Sequence, residues 1–216
     1  MTDVGEHPAD DHDIVILDDG GRILVRPLLP TDREELSRRY LELSPEARRL
    51  RFFNAPTHLS ARLLDYLMDV DGDDRSALVA FALDDEGSPG VGIARYSRSR
   101  EDPTEAEAAV TVLDAYHNRG IATALLLRLA DDARANGIAT FTASVMWENS
   151  ALLDGLRAFG AVVSPSEPGV ASVQIPLPET EVELPETELG RALRVFASRV
   201  GAVSYTHLTL PTNRVA

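Results

Sequence analysis

The densest chemical signal in the chain is "HNRG", His117 to Gly120, directly ahead of the helix-forming run "IATALLLRLADDARANG". A glycine at a helix entrance lets a ligand approach the main chain closely. The first helical turn presents N–H groups that have no partner within the helix. With the helix dipole these make a seat for phosphate or pyrophosphate. His117, Asn118 and Arg119 can add polar contacts, Ile121 and Ala122 supply first-turn amides, and Thr123 adds a hydroxyl. A second signal is Glu107, a carboxylate at the start of the apolar run "AEAAVTV". A third is Asn149, whose side chain can cap a helix or meet a ligand. Each has a plainer reading: a helix start, a solvent-facing glutamate in the acidic stretch with Glu101, Asp102 and Glu105, and a simple cap.

These residues need a scaffold, and the pattern around them supplies one. "IVILDDGGRILVRPL" reads as a hairpin, with two apolar runs about a Gly-Gly turn. "PTDREELSRRYLELS" reads as a helix capped by Thr31 or Asp32, and a second helical piece covers 45–51. A third helix follows from apolar Leu59, Leu63, Tyr66, Leu67 and Val70. Residues 76–83, 91–99 and 106–113 read as three strands, with Gly90-Val91-Gly92 a turn into the second of them. A long helix follows, with Ile121, Leu125, Leu129 and Ala133 on one face and Gly137 at its end. A strand over 138–146, a helix from Asn149 to Gly160 and two short strands complete a mixed α/β domain over residues 14–177.

Composition narrows the chemistry. There are no cysteines, which excludes disulfides, thiolate metal sites and cysteine nucleophiles. All 21 basic residues are arginine, so lysine Schiff-base chemistry is excluded. The formal charge of −14 argues against nucleic acid, whose binding rests on basic surface. No apolar run is long enough to span a membrane, and the acidic N-terminus is unlike a signal peptide, so a cytoplasmic location is expected. The five histidines lack metal spacing, "DDHD" (Asp10 to Asp13) falls in an acidic tail, and no metal is expected. Residues 1–13 read as that disordered tail, and 178–202 as a Pro/Glu linker with a short helix. The closing "VSYTHLTLPTNRVA" (203–216) resembles translated adapter read-through and is read as non-native.

"VTVLDAYHNRGIATALL" resembles the acetyl-CoA signature of the GNAT acetyltransferase superfamily, and "ENSALLDGLRAFGA" resembles its next motif. "LSPEARRLRFF", "DVDGDDRSALVAF" and "WENSALL" are similar to the bacterial protein-lysine acetyltransferase (Pat-like) branch. The resemblance implies an α/β GNAT fold: a mixed, mostly antiparallel sheet with a splayed central strand pair, flanked by helices. It implies acetyl-CoA as co-substrate, with the pantetheine arm near Thr111 and Val112, the pyrophosphate on His117 to Thr123, and Asn149 reaching the pantetheine. It implies Glu107 as general base and Phe52 and Phe53 as lining for the acceptor. The acceptor is expected to be a protein lysine, with a small-molecule amine, or acetyl-CoA binding without turnover, as alternatives. Two positions depart from the family pattern. His117 stands where arginine or glutamine is usual, which is expected to weaken the contact or make it pH-sensitive. Leu156 stands where many members carry a tyrosine that serves as general acid.

Overall fold

Asp19, Gly20 and Gly21 turn the chain between strands β1 (Asp13–Ile16) and β2 (Arg22–Pro27), with Ile16 opposite Arg22 and Gly20 at φ +82°. The computed structural model describes residues 13–17, 19–52, 56–158 and 160–177. Expectations for residues 1–12 and 178–216 lie outside that range, and Asp13 belongs to β1 rather than to the tail. Helices α1 (Arg33–Tyr40), α2 (Pro45–Phe52) and α3 (Ala61–Met68) follow, then strands β3 (Arg75–Ala82), β4 (Gly90–Arg98) and β5 (Glu105–Val112). Helix α4 (Ile121–Ala135) leads to β6 (Thr140–Met146), helix α5 (Ser150–Ala158), β7 (Val162–Pro165) and β8 (Val170–Pro176). The eight strands lie in the order β1-β2-β3-β4-β5-β6-β8-β7.

Among the described strands only β5 and β6 run parallel, joined by α4 as the crossover. Their pairing covers Glu105 with Thr140, Ala106 with Phe141 and Glu107 with Thr142, and then ends. Beyond it β5 stays in register with β4 to Val112, while β6 stays in register with β8 to Met146. Each strand follows its antiparallel neighbour, and the two halves of a twisted sheet diverge. A V-shaped gap opens between Ala108–Val112 and Ala143–Met146 with its vertex at Glu107.

Helix α4 packs on the sheet behind this gap. Ile121, Leu125, Leu129 and Ala133 are at most 1% exposed, which matches the periodicity of the sequence. They meet Ala106, Ala108, Val110 and Val112 of β5. Burying a leucine of this kind contributes about 1.5–3 kcal/mol. Close approach also needs Gly92, where a Cβ would lie 3.1 Å from Leu125 and 3.3 Å from the Thr111 carbonyl oxygen. The opposite face is covered near β3–β5 by α1 and α3, with Tyr40, Leu43, Leu64 and Leu67 buried. Helix α5 buries Leu152 and Leu153 against Val145 and Val173.

One cap differs from expectation. Asp32 stands at the expected N-cap position of α1, but its carboxylate makes no cap hydrogen bond to that helix. It accepts the Leu29 N–H at 2.8 Å and both Arg26 guanidinium nitrogens at 2.7 and 2.8 Å. Asp32 already sits in helical backbone space, so its side chain points away from the first turn and a strand arginine takes it. Ser60 does cap α3, accepting the Leu63 N–H at 3.2 Å.

Candidate active site

The phosphate-type turn fills the space between the end of β5 and the start of α4. After a short helical turn at Asp114–Tyr116, His117 is extended, Asn118 is at φ 62° and Gly120 at φ +88°. The α4 ladder begins with the Ala124 N–H donating to the Gly120 carbonyl at 3.0 Å. The amides of Ile121, Ala122 and Thr123 therefore precede the ladder at the positive end of the helix. Backbone of this kind forms a concave set of N–H donors suited to an anion. A Cβ built on Gly120 meets no atom within 4 Å, so there is free space beside the turn at this residue.

Arg119 is held from the side. Its Nε donates to Asp19 at 2.5 Å, and its guanidinium lies 5.6 Å from the Tyr116 ring centroid. The Arg119 hydrogen bond holds the Asp19 carboxyl below its ordinary range. Gly21 makes room for the arrangement, since a Cβ there would reach 2.4 Å from the Arg119 guanidinium. The β1–β2 hairpin, a hundred residues away in sequence, thus steers the arginine of the turn.

Alternation along β5 decides which groups face the gap. The Leu113 N–H bonds to the Val91 carbonyl on the β4 side, and the Ala106 carbonyl accepts Thr142 on the β6 side. The main-chain groups of Ala108, Val110 and Val112 consequently face the gap, whereas those of Thr111 join the β4 ladder opposite Ile93. Thr111 contributes its side chain to the cavity under α1 instead. The His117 ring lies with Nε2 3.0 Å from the Val112 carbonyl oxygen. The residue that departs from the family motif therefore contacts the strand expected to line the pantetheine.

Glu107 stands at the vertex of the gap. It lines a polar cleft of about 280 Å³ with Ser97, Ser99, Thr142 and Ser144. Ser97 is directly opposite it on β4. The next inward-facing pair along the two strands is Ala109 and Arg95, and Arg95 feels the Glu107 charge through space. Arg95 lines a mostly apolar cavity of about 80 Å³ with Leu36, Leu67, Phe81, Ile93 and Thr111. A carboxylate at the vertex is chemically able to take up a proton, and the cavity under α1 and α3 offers an apolar space beside it.

The remaining expected residues fall as follows. Asn149 caps α5, its side-chain oxygen accepting the Leu152 N–H at 3.3 Å. Leu156 packs into the α5 cluster, leaving no hydroxyl at that position. Phe52 ends α2, but its side chain and the whole of Phe53 lie outside the described residues. Trp147 is 38% exposed where the chain leaves β6. Beside it Glu148 pairs with Arg49 of α2, and Asp114 binds Ser44 at 2.8 and 2.9 Å, so contacts from the α1–α2 region reach both arms of the gap. Among the described residues no group of three or more histidine, aspartate and glutamate side chains stands ready for a metal.

Sequence reasoning missed Arg95 and the gap-facing amides of Ala108 and Val110. A signal for Arg95 was present: in "VGIARYSRS" it shares a strand face with Ile93, and a charge between apolar neighbours on a covered face is unusual.

Comparison with known proteins agrees with this geometry. Residues 22–162 match the model of the acetyltransferase (GNAT) domain. A Pseudomonas aeruginosa acetyltransferase is 38% identical over 152 residues, covering 70% of this chain and 81% of that protein. Acetyltransferase Pat of Mycolicibacterium smegmatis is 33% identical over 180 residues, covering 82% of this chain, which spans about half (52%) of that longer protein. The crystal structure of the GNAT domain of S. lividans PAT superposes with a TM-score of 0.71 at 33% identity, covering 80% of this chain and all of that one.

Proposed function

Since the chain belongs to the GNAT acetyltransferase family and is thus an N-acetyltransferase with acetyl-CoA as donor, we propose that its acceptor is a protein lysine and that Glu107 is the general base. The observation that carries the mechanism is the divergence of β5 from β6 at Glu107, in front of the Gly120 turn. Acetyl-CoA supplies an activated acyl group whose thiol leaves readily, at a pKa of about 8.5. The amides of Ile121, Ala122 and Thr123 would hold its pyrophosphate, with Asn118 and Arg119 beside them. His117, Val112 and Asn149 flank the path of the pantetheine, and the gap-facing amides of β5 would polarise the thioester carbonyl.

A lysine amine has a pKa of about 10.4 and is almost wholly protonated at neutral pH. Glu107 would draw off that proton, directly or through one water in the polar cleft, for a gain of about 10²–10⁴-fold. No side-chain acid is required at Leu156, because the leaving thiolate is a weak base and water can protonate it. The likeness to the two Pat proteins supports a protein acceptor.

The test is turnover of acetyl-CoA with protein fractions and with small amines, read by mass spectrometry of the product. Acetylated lysines in protein support the reading; labelled small amines alone sink the protein acceptor. Glu107→Gln should lower kcat by at least about 100-fold and leave acetyl-CoA affinity unchanged. An unchanged kcat removes Glu107 as the base.

A further inference from the structure

Arg95 is a charged side chain that is only 4% exposed, set in a wall of leucine, isoleucine and phenylalanine. Its guanidinium lies 4.5 Å over the Tyr66 ring, and one nitrogen donates weakly to the Tyr66 carbonyl at 3.4 Å. Among the described residues the other terminal nitrogen, Nη2, has no hydrogen-bond partner. Burial pulls the guanidinium pKa down, while the nearby carboxylates of Glu107 and Asp69 act against this and the charge of Arg75 adds to it. An arginine nevertheless stays charged in a protein. A buried charge without a full set of partners is costly, and native proteins keep one only where something answers it.

The other charges lining the cavity are already matched. Asp32 is paired with Arg26, and Glu35 is paired with Arg38 and Arg39. The group that would match Arg95 here is an anion small enough for about 80 Å³ and flat enough for a guanidinium fork. That describes a carboxylate. Arg95 faces Ala109, one inward position along β5 from Glu107 and one from Thr111, so a group held there lies beside the reacting centre.

We propose that Arg95 is the binding group of a carboxylate site under α1 and α3, serving a carboxylate carried by the acceptor or by the acyl chain of the donor. The site rests on the acyl-transfer reading for its use, but not for its existence. A carboxylate in the cavity beside Arg95 would answer its charge and displace no existing ion pair.

The test compares ligand pairs differing only in a carboxylate, by calorimetry on the full chain: γ-aminobutyrate against butylamine, and malonyl-CoA against acetyl-CoA. The carboxylate member of at least one pair should bind about tenfold more tightly or better, and the pair that responds identifies acceptor or donor as the source. Arg95→Met should abolish that preference while the melting temperature of the free protein holds or rises, because an incompletely paired buried charge has been removed. A strut role would instead lower the melting temperature and leave the preference intact, which overturns the proposal. So does equal affinity within both pairs in the unmutated protein, a result that needs no variant to fold. Failure of acetyl-CoA to bind at all would count against the acyltransferase reading, and the amine pair would still decide the carboxylate site.

Discussion

Two glycines at opposite ends of α4 separate the demands of folding from those of binding. Gly120 has φ +88° at the N-terminal end, and Gly137 has φ +77° just past the C-terminal end. At both, a Cβ would meet no atom within 4 Å. Replacing either by alanine places an L-residue in left-handed space at about 1–2 kcal/mol, offset by about 0.4–1 kcal/mol from the stiffer unfolded chain. The net loss is about 1 kcal/mol at each site, or about 2–4 °C in Tm for a domain of this size. Binding should distinguish them sharply. If the turn seats the pyrophosphate, the Gly120→Ala methyl occupies free space beside the first-turn amides and should weaken acetyl-CoA binding at least about tenfold, or about 1.4 kcal/mol. The Gly137→Ala methyl lies a whole helix away and should leave affinity unchanged. Differential scanning calorimetry gives the first quantity and isothermal titration the second. Equal affinities in the two variants, whether both lost or both retained, would refute the assignment of the turn as the anion seat.

Other perturbations address the supports of the site. Asp19→Asn removes a negative charge from the neighbourhood of the turn and releases Arg119; acetyl-CoA affinity should rise about threefold at low ionic strength and the gain should shrink in high salt. A weaker complex would mean that Asp19 positions Arg119 productively. Asp32→Ala leaves Arg26 unpaired beneath α1 and should lower stability by about 3 kcal/mol in urea titration. Burial alone would raise the Asp32 pKa, but Arg26 and the Leu29 N–H more than offset it, so the folded value lies below the ordinary one. Its contribution is therefore present above an unfolded pKa of about 3.9 and lost as pH falls through the lower folded value. The stability gap between wild type and Asp32→Asn should close in that acidic window, and a gap independent of pH there would contradict the pairing.

The order of elements was legible because each rests on local physics. The α4 face repeats at helical spacing, and Ile121, Leu125, Leu129 and Ala133 are the residues it buries. Glycines mark the turns and the helix end because only they enter left-handed space without strain. The turn proposed to seat the coenzyme stood out for the same reason: it is contiguous, its donors are main-chain amides, and the net charge of −14 has little influence on groups so local. Asp32 shows the limit of local reading. Its position suits a cap, but the partner that claims it, Arg26, lies on a neighbouring strand.

What only the tertiary structure decided involves groups distant in sequence. The gap exists because β5 and β6 each follow a different antiparallel neighbour, and no local pattern states where their parallel pairing stops. Arg119 is turned by Asp19 and Gly21 from a hairpin a hundred residues earlier. Arg95 looks in the sequence like one more charge in an arginine-rich chain, and only the packing of α1 and α3 over its strand shows that it is buried with an unanswered nitrogen. The sequence by itself thus determined the elements and the family, and marked the turn proposed to seat the anion, since these depend on near neighbours. Folding alone determined the shape of the gap and the polarity of the cavity, because both arise where separate elements meet.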